Sequence, residues 1–574
     1  MYSLGIIALQ GHCSTISLYK DDELVFALSE ERLSRIKEDS NFPEFAIKAC
    51  LDKFNLKMQD IDSISFAWNP WSSLWFYLLK NLKHTTFDFL FGKRINGKRS
   101  RVKKFLEMIF IRSYIKKTFG HCPKLSFKDH HTCHSLTSIF HSGFTDPLSL
   151  VIDGYGDRAT ISLYKLNGRH HQLLQETFFP DSLGLFYSMF TQFLGFTSDI
   201  DEYKFMGLSS YGEPSLVDKI NQVISFDENN FVKLNLTYFT FQKSSNVFYS
   251  DKLIELLGDP KTYDFKQRTD LAKSVQVVFS QVILKIIKNI KQKYGQETQS
   301  ICFSGGVFQN CVLNKDIRDS KIFKNVFFTP LCSDLGTAIG ACLSERLSKG
   351  LSLKKLSHLY LGSSFSDTEI EKILKFFNLN YTTSENLTKD TAKILEQENI
   401  IGWFQGASEL GYRALGARSI LADPRKQEMK DKVNHKIKKR ESFRPFAPAT
   451  TNEFVHKFFE VSGQELGYMI ETVDAKKEMA NEIAAVVHVD SSSRVQVVSE
   501  QDNKIFYDLL LEFEKQTGVG VLLNTSFNIK DEPIVNSPQD ALICFARANL
   551  DYLVMGRFII PANSNNHFIS RYQS

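Results

Sequence analysis

The sequence has few of the features that mark secreted, thiolate-metal or membrane proteins. Its nine cysteines are odd in number and scattered, and no Cys-x-x-Cys pair occurs. This argues against a disulfide framework and against a thiolate zinc site. No apolar run approaches the ~18 residues of a transmembrane helix. Residues 1–10 lack the basic region and apolar core of a signal peptide. The expected class is a cytoplasmic enzyme.

An excess of charge of one sign is also lacking. The 70 Lys and Arg residues face 65 Asp and Glu residues, so the formal net charge is only +5 over 574 residues. This balance gives no reason to expect nucleic acid as a partner. The hydrophobic fraction of 43% is that of an ordinary globular protein, and the length exceeds what one hydrophobic core supports. We expect two or three domains.

Two segments share one pattern: an apolar strand, a polar loop and a returning strand. The first runs from Leu4 to Leu28 and the second from Leu148 to Tyr164. The repetition predicts a duplicated α/β architecture, a form that the actin-like sugar kinase fold has. A long amphipathic helix is predicted over 270–293. We predict one domain over 1–353, with a variable insertion at 70–118, and a second α/β domain over 357–574.

The insertion at 70–118 has an unusual composition. Aromatic residues between Trp71 and Phe91 precede a basic cluster at 93–104. One interpretation is an amphipathic helical insertion with a solvated face. The other is an element that binds the acceptor substrate or a membrane surface. Together with 225–265, this segment is a candidate for setting specificity.

Two histidines have the spacing of a metal-binding pair. His130 and His134 lie at i and i+4, so on a helix both would lie on one face. Asp153 ends a predicted strand, and Asp334 follows another. Two imidazoles with one or two carboxylates suit Fe(II), Mn(II) or Zn(II). The alternatives are a strand-end turn for Asp153 and a helix N-cap for Asp334.

Two further N-terminal residues are candidates for chemistry. His12 lies in the loop between the first two predicted strands, where it could act as a general base or orient the acceptor. It could equally be an exposed loop residue without a role. Lys37 follows the charged run Glu30–Arg35 and could hold an anionic group. The alternative is a surface charge cluster.

Two turns after predicted strands could contact a ligand. Ser304, Gly305 and Gly306, with Asn310, follow the strand 300–303 and offer backbone N–H groups and an amide. Asn524, Ser526 and Asn528 follow the apolar strand 520–523, and their side chains suit contacts to ribose or phosphate. The alternative in both places is a tight turn with side-chain capping.

Arginines are concentrated between residues 409 and 448. Arg413, Arg418, Arg425, Arg440 and Arg444 are interleaved with glycines and apolar residues. Guanidinium groups bind phosphate in bidentate fashion and keep their charge. The apolar neighbours are typical of a packed segment and not of a solvated basic face. This pattern predicts a polyphosphate site.

Taken together, these motifs resemble the O-carbamoyltransferase family that includes nodulation protein U and the tobramycin and cephamycin carbamoyltransferases. The resemblance runs from the first strand to about residue 560. The motifs that carry it are Ser29–Arg35, Asp129–His134, Val151–Gly154, Ser182–Ser188, Glu202–Leu208, Ser304–Gly306 with Asn310, Glu409–Ser419, Arg440–Pro448, and Leu523–Asn528 with Glu532–Pro533. The chain departs from the family at Cys13, where members usually carry Asp.

The resemblance implies a two-domain enzyme. The N-terminal domain would resemble the tRNA threonylcarbamoyl-transferring subunit, an actin-like fold that holds Fe(II) or a similar divalent transition metal. The C-terminal domain would resemble threonylcarbamoyl-adenylate synthase. It would join carbamoyl phosphate and ATP, with Mg²⁺, into carbamoyl adenylate. The carbamoyl group would then pass to a hydroxyl of a sugar, glycan or secondary metabolite. The resemblance leaves open whether the enzyme forms a homodimer.

The resemblance also implies roles for individual residues. His130, His134, Asp153 and Asp334 would be the metal ligands. His12 would be the base, and Lys37 would contact carbamoyl phosphate. The nucleotide site would include Arg413, Arg444, Arg494, Asn524 and Asn528. The remaining alternatives are an actin-like-fold kinase acting on a small hydroxyl compound and a non-catalytic binding module.

Overall fold

The structure is a computed structural model with two compact units. It describes residues 1–9, 13–75, 101–244, 246–351, 353–438, 441, 443–464 and 466–572. Unit 1 comprises Met1–Val25 and Ser40–Leu356, and unit 2 comprises Phe26–Asp39 and Ser357–Ser574. The insertion predicted over 70–118 lies partly outside the described residues, because 76–100 are not among them.

Unit 1 contains two five-stranded sheets. Its strands are β1 (Tyr2–Ile7), β2 (Thr15–Lys20), β3 (Glu23–Ser29), β4 (Ser63–Phe66), β5 (Lys124–Phe127), β6 (Leu148–Gly156), β7 (Ala159–Asn167), β8 (His170–Phe178), β9 (Ile224–Asp227), β10 (Phe231–Leu234), β11 (Ser300–Ser304) and β12 (Asn325–Phe328). Strand β3 begins in unit 1, and its residues from Phe26 onward belong to unit 2.

The two sheets repeat one topology. Their strand orders are β3-β2-β1-β4-β5 and β8-β7-β6-β11-β12. In each, the first strand pairs antiparallel with the second and parallel with the fourth, and the fourth pairs parallel with the fifth. Strands β9 and β10 form a separate antiparallel pair. This repeat is the duplicated form of the actin-like fold, so the predicted fold class is confirmed for unit 1.

Helices cover the sheets of unit 1. They are α2 (Glu44–Lys53), α3 (Pro70–Trp75), α4 (Arg101–Ile109), α5 (Ile111–Phe119), α6 (His130–Ser142), α7 (Leu183–Phe193), α8 (Glu202–Ser209), α9 (Val217–Ile220), α10 (Asp251–Leu257), α11 (Phe265–Tyr294), α12 (Cys311–Asp319) and α13 (Thr337–Ser348). Short 3₁₀ turns occupy Met58–Asp60, Leu236–Tyr238, Pro260–Thr262, Gly306–Gln309 and Asp334–Gly336. Helix α6 packs against α13 and against strands β6 and β11.

Unit 2 is built on a mixed eight-stranded sheet. Its strands are β13 (Thr382–Thr383), β14 (Ile401–Phe404), β15 (Arg418–Ala422), β16 (Ala447–Thr451), β17 (Val473–Asp474), β18 (Ser492–Ser493), β19 (Gln496–Val498), β20 (Val521–Ser526), β21 (Tyr552–Met555) and β22 (Phe558–Pro561). The order in the large sheet is β13-β22-β21-β14-β15-β20-β16-β19, and β17 pairs with β18 separately. An α/β second domain is therefore confirmed.

All helices of unit 2 except the first contribute side chains to two apolar clusters. The helices are α1 (Glu31–Ser34), α14 (Asp367–Phe376), α15 (Leu387–Glu396), α16 (Gln427–Val433), α17 (Asn452–Phe458), α18 (Lys504–Thr517), α19 (Pro538–Arg547) and α20 (Asn566–Tyr572), with a π turn at Asn434–Lys438 and 3₁₀ turns at Ala480–Val486 and Asn563–Asn565. The central strands β14 and β21 are buried on both faces, which is why they read as continuous apolar runs.

The segment Phe26–Asp39 is attached to unit 2 by buried arginines. Arg32, 3% exposed, donates hydrogen bonds to the carbonyl oxygens of Glu409 and Gly411 at 3.4 and 2.9 Å. Arg35 donates to the carbonyl oxygens of Pro533 and Ile534. The sequence motif Ser29–Arg35 thus serves the packing of unit 2, although it lies in the N-terminal part of the chain.

Candidate metal centre and candidate nucleotide site

Helix α6 presents the two predicted histidines on one face. Asp129 caps the helix, because its side chain accepts a hydrogen bond from the Thr132 N–H at 3.0 Å. Gly143 ends it in the left-handed conformation, with φ of 67°. His130 and His134 are one turn apart and fully buried. Local sequence therefore determines both the helix and the pairing of the two imidazoles.

Two carboxylates meet these imidazoles. Asp153 comes from strand β6 and Asp334 from the turn that precedes α13. Each histidine Nε2 lies 3.4 or 3.6 Å from a carboxylate oxygen of each aspartate. The four ligand atoms all lie within 4.8 Å of one another. The structure thus brings together all four residues that the sequence nominated as metal ligands.

Hydrogen bonds at the other ring nitrogen fix the orientation of both imidazoles. His130 Nδ1 lies 3.0 Å from the carbonyl oxygen of Ala67, to which it can only donate, and His134 Nδ1 lies 3.2 Å from Ser304 Oγ. Such contacts place the Nε2 lone pair of His130 toward the carboxylates. Asp157, which the sequence analysis did not identify, accepts a hydrogen bond from the backbone N–H of His130 at 2.8 Å.

The electrostatics of this cluster require positive charge at its centre. Burial acts to lower the pKa of His130, but the carboxylates of Asp153 and Asp334 outweigh it and raise that pKa well above its ordinary value. Burial also acts to raise the pKa values of Asp153 and Asp334, yet the histidines hold both below their ordinary range. The two carboxylates, whose side chains are 15% and 14% exposed, need a compensating positive charge, which a protonated imidazole or a bound cation can supply.

The spacing of the donors fits a divalent transition metal ion. Four ligand atoms arranged tetrahedrally about 2.1 Å from one ion would lie roughly 3.4 Å apart. The four imidazole-to-carboxylate distances match this value. The Nε2 atoms of His130 and His134 are buried, and neither has a hydrogen-bond partner among the described residues. Two nitrogen and two oxygen donors suit iron, manganese or zinc.

Glycines let the backbone pass close to this cluster. A Cβ atom on Gly156 would lie 2.2 Å from Cδ2 of His130, and one on Gly305 would lie 2.2 Å from the carbonyl oxygen of Ile152. The N–H of Gly306 donates to Asp153 Oδ1 at 3.3 Å. Ser304, Gly305 and Gly306 therefore contact or approach the ligand residues. Their predicted contact with the carbamoyl group stays a prediction.

The fourth residue predicted for carbamoyl binding, Asn310, caps a helix. Its side chain accepts a hydrogen bond from the Leu313 N–H at 3.0 Å and donates one to Gln276 Oε1 at 2.9 Å. Asn310 is 8% exposed. The capping alternative that the sequence left open therefore describes its contacts, and carbamoyl binding by Asn310 stays a prediction.

A cavity of about 1040 Å³ lies along another face of helix α6. It is lined by Thr132 and Leu136 of α6 and by Asp129, which caps this helix. Thr132 and Leu136 each follow one of the two histidines by two residues, so they lie on a different face of the helix. Aromatic rings, hydroxyl groups and charges are mixed in the remaining lining, which is Asn69, Trp71, Ser72, Arg158, Tyr164, Arg169, His170, His171, Leu173, Glu176, Phe178, Ser344, Leu347 and Ser348.

In unit 2, sheet topology joins the distant motifs. Strand β20 lies between β15 and β16, and Asn524 is in register with Leu421 on one side and Ala447 on the other. The Asn524 amide donates to the carbonyl oxygen of Ala414 at 3.1 Å and to Gln496 Oε1 at 2.8 Å. Its Oδ1 is buried and has no hydrogen-bond partner among the described residues. The arginine-rich segment and the 523–528 motif therefore form one cluster.

A buried carboxylate shapes the arginine-rich loop. Glu409, 2% exposed, accepts hydrogen bonds through Oε1 from the N–H groups of Leu415, Ala417 and Arg418 at 2.7 to 3.4 Å. The loop so fixed carries Arg413, which is half-buried. Arg413 is thus placed next to the residues that contact Asn524.

Arg418 lies in the interior of unit 2. It is fully buried, and its guanidinium group lies 3.6 Å from the centre of the Phe404 ring. The group donates to the carbonyl oxygens of Ser363, Gln405, Gly406 and Ala417. These hydrogen bonds all go to the backbone, and the predicted contact of Arg418 with nucleotide stays a prediction.

Sequence analysis missed a buried lysine in this unit. Lys438, 5% exposed, donates to the carbonyl oxygen and hydroxyl of Ser526 and to the carbonyl oxygen and Oδ1 of Asn528. It therefore fixes two predicted nucleotide contacts. The basic run before Arg440 was a signal for it, but its burial could not be predicted from composition.

The remaining predicted residues are more exposed. Arg444, with a side chain 22% exposed, lies 3.5 Å from Glu441. Arg494 is half-buried, and its Nε has no hydrogen-bond partner among the described residues. Lys37 is exposed in the Phe26–Asp39 segment of unit 2. His12 lies outside the described residues, so its role stays a prediction.

No helix within the described residues is both long enough and apolar enough to cross a membrane.

Comparison with known proteins identifies the family. The carbamoyltransferase N-terminus model matches residues 3–343, and the carbamoyltransferase C-terminus model matches residues 392–561. An uncharacterized protein of Synechocystis, sll1178, is 36% identical over 97% of this chain and 96% of its own length. Nodulation protein NolNO of Sinorhizobium fredii is 33% identical over 96% of this chain and 79% of its own.

A third relative, nodulation protein NolO of Bradyrhizobium diazoefficiens, is 34% identical over 75% of this chain and 78% of its own. The first family model alone spans more than half of the chain and includes all four residues of the candidate metal centre. The second includes the clustered arginines and Asn524. The chain therefore belongs to the carbamoyltransferase family and is a transferase.

Proposed function

We propose that the enzyme is an ATP-dependent O-carbamoyltransferase. It makes carbamoyl adenylate from carbamoyl phosphate and ATP and then transfers the carbamoyl group to a hydroxyl group of an acceptor. The observation that carries the transfer half is the convergence of His130, His134, Asp153 and Asp334 within 4.8 Å. Family membership supports carbamoyl transfer as the overall chemistry.

The activation step is assigned to unit 2. Water hydrolyses carbamoyl phosphate to carbamate and phosphate, a carbamate oxygen then bonds to the α-phosphorus of ATP, and pyrophosphate leaves as its bond to that phosphorus breaks. Arg413, Arg444 and Arg494 neutralise the phosphate groups and the departing pyrophosphate, together with Mg²⁺. The free Oδ1 of Asn524 is an acceptor for a ribose or adenine donor. Lys438 orients Ser526 and Asn528 beside these groups.

The transfer step is assigned to unit 1. His130, His134, Asp153 and Asp334 would hold a divalent metal ion such as Fe(II), which would supply Lewis acidity toward the carbamoyl carbonyl. The acceptor oxygen bonds to the carbamoyl carbon, and AMP leaves as the C–O bond to its phosphate breaks. His12 takes the acceptor proton as general base. Ala67 and Ser304 keep the two imidazoles oriented.

The kinase alternative is not favoured. A kinase of the actin-like fold needs no second nucleotide-binding domain, yet the carbamoyltransferase C-terminus model matches residues 392–561. The contact between Asn524 and Ala414 of the arginine-rich segment supports ATP binding outside unit 1. Buried polar atoms without hydrogen-bond partners in the described part of the chain argue against a non-catalytic binding module. The Nε2 atoms of His130 and His134 and Oδ1 of Asn524 are such atoms, and their burial costs free energy of folding.

The cavity beside α6 is a candidate for binding part of the acceptor. Trp71, Tyr164 and Phe178 offer ring faces, while Asp129 and Thr132 offer hydrogen-bonding groups. Pockets that mix apolar faces with a few convergent polar groups suit small organic ligands. This lining supports a hydroxyl-rich acceptor such as a sugar, a glycan or a secondary metabolite. A screen of such acceptors with labelled carbamoyl phosphate would identify the class, and Trp71→Ala should then raise the acceptor KM.

Two variants test the division of the reaction. Arg413→Ala should slow pyrophosphate release from ATP in the presence of carbamoyl phosphate by ~100–1000-fold, the typical loss for one charge-stabilising donor. His134→Ala should keep pyrophosphate release but lose acceptor carbamoylation and bound metal. Arg557→Ala, which removes a more exposed arginine from the same unit, is the matched control and should change neither activity.

The outcome that contradicts this assignment is specific. If His134→Ala abolishes pyrophosphate release as completely as Arg413→Ala does, the two steps cannot be divided between the units as proposed. If the metal content measured by elemental analysis is unchanged in His134→Ala, the metal assignment is wrong.

A further inference from the structure

Helices α4 and α5 form one nearly continuous amphipathic element in unit 1. They cover Arg101–Ile109 and Ile111–Phe119. At the junction the i to i+4 hydrogen bonds continue, from the Phe110 N–H to Leu106 O at 3.2 Å and from the Tyr114 N–H to Phe110 O at 3.1 Å. Side chains at helical spacing therefore align in stripes across both helices.

This element has two apolar stripes instead of one. The inner stripe is Met108, Ile111 and Ile115, which are 0%, 2% and 0% exposed. The outer stripe is Leu106, Ile109, Phe110 and Tyr114, which are 47%, 39%, 64% and 42% exposed. A surface helix of a globular protein normally needs one apolar stripe, with a polar opposite face. The inner stripe packs into the core. In the outer stripe, Tyr114 packs against the ring of Phe42, with ring centroids 5.1 Å apart, whereas Leu106, Ile109 and Phe110 leave much of their side chains exposed.

The apolar surface extends beyond the two helices. The Tyr114 hydroxyl donates to Glu44 Oε2 at 3.1 Å, which holds the outer stripe beside α2. Next to Glu44 on α2 is Phe45, 55% exposed. Contiguous exposed apolar surface, unlike single exposed residues, marks sites of interaction with proteins or membranes.

Basic residues are concentrated in this element. Residues 101–119 contain six basic residues and one acidic residue, a net of +5 that equals the formal net charge of the whole chain. Lys103, Arg112, Lys116 and Lys117 are exposed. The surface therefore combines exposed aromatic and aliphatic side chains with a local excess of positive charge.

We propose that the outer stripe and its cations bind the surface of an anionic lipid bilayer. An amphipathic helix with Leu and Phe on one face and Lys and Arg around it lies in the plane of the membrane interface. The apolar side chains enter the boundary of the acyl chains, while the lysine stems extend to the phosphate groups. The positive charge favours an anionic lipid surface over a second copy of this chain as the binding partner, because two faces with this net positive charge would repel each other.

Vesicle sedimentation tests this proposal with the full-length enzyme. We expect binding to phosphatidylcholine vesicles that contain about one third phosphatidylserine, little binding to pure phosphatidylcholine, and release by high salt. Each cation at a membrane surface contributes roughly fivefold to partitioning, so Lys116→Gln/Lys117→Gln should weaken binding roughly 25-fold. Leu106→Ser/Phe110→Ser should weaken it at least ~10-fold.

Matched controls separate the surface from general effects. Phe376→Ser removes an 82% exposed phenylalanine from unit 2. Lys285→Gln/Lys288→Gln removes two exposed lysines from α11 of unit 1. Both should sediment like the wild type, and circular dichroism should be the same for all variants.

Three results would overturn the proposal. The first is wild-type protein that stays in solution with the anionic vesicles. The second is binding that the outer-stripe and lysine variants do not change, or that is equally strong with pure phosphatidylcholine. The third is a wild-type dimer, measured by light scattering, that Phe110→Ser converts to monomer without any vesicle binding, because the surface would then be a contact between copies of the chain.

Discussion

The substitution Arg418→Met distinguishes a structural arginine from a ligand contact. Arg418 and Arg413 both belong to the segment for which the sequence predicts phosphate binding. In the structure, the Arg418 guanidinium group donates to four backbone carbonyl oxygens and packs on Phe404. Burial lowers its pKa to about 9, so the group remains charged at neutral pH. Methionine keeps much of the stem and removes the donors.

The expected loss of stability follows from these contacts. The substitution leaves the carbonyl oxygens of Gln405 and Gly406 without the Arg418 donor, whereas that of Ser363 keeps a hydrogen bond from the Ser408 N–H. An unsatisfied buried acceptor costs about 1–3 kcal/mol. Removal of the buried charge offsets part of this loss, so we expect the lower end of the summed range, about 2 kcal/mol. For a unit of this size, that corresponds to a fall in Tm of roughly 4–8 °C.

Calorimetry and pyrophosphate release together provide the assay. Arg418→Met should lower the Tm of the unit 2 transition, while folded protein at low temperature retains ATP turnover. Arg413→Met should do the opposite, with an unchanged Tm and a strong loss of turnover. The reasoning is refuted if Arg418→Met shifts the Tm by less than about 2 °C and loses turnover as Arg413→Met does.

Three further outcomes are expected. Gly156→Ala puts a Cβ atom 2.2 Å from Cδ2 of His130 and should lower metal affinity at least ~10-fold, whereas unchanged metal content in elemental analysis would contradict this. Burial acts to raise the pKa of Glu345, but hydrogen bonds led by Lys128 outweigh it and lower the pKa to about 2. This carboxylate therefore stabilises the fold at neutral pH, and its contribution is lost as the pH falls from near 4.5 to about 2. The stability gap between wild type and Glu345→Gln in denaturant titrations should narrow over that range, and a constant gap would argue against it. Lys438→Met should raise the KM for ATP by at least ~10-fold, and an unchanged KM with a lowered Tm would make this lysine structural only.

Local patterns in the sequence predicted much of the architecture. The strand–loop–strand pattern at 4–28 and 148–164 predicted hairpins, which the structure has as β1–β3 and β6–β7. The amphipathic stretch 270–293 lies within the helix Phe265–Tyr294. These elements depend on the spacing of neighbouring residues, which the sequence displays directly. The boundary placed near 353–357 did not anticipate that Phe26–Asp39 packs with unit 2, because this depends on long-range contacts of Arg32 and Arg35.

The sequence by itself determined the residues capable of chemistry, and tertiary structure decided which of them meet. The i, i+4 spacing of His130 and His134 is a local property, and one helix suffices to place them together. Asp153 and Asp334 reach them only because strand β6 and the turn before α13 both pack against helix α6. Likewise, composition shows that Arg418 is basic, but only packing shows that its donors are directed to backbone carbonyl oxygens. Burial and partner choice arise from contacts between residues far apart in the chain, and a linear pattern does not contain them.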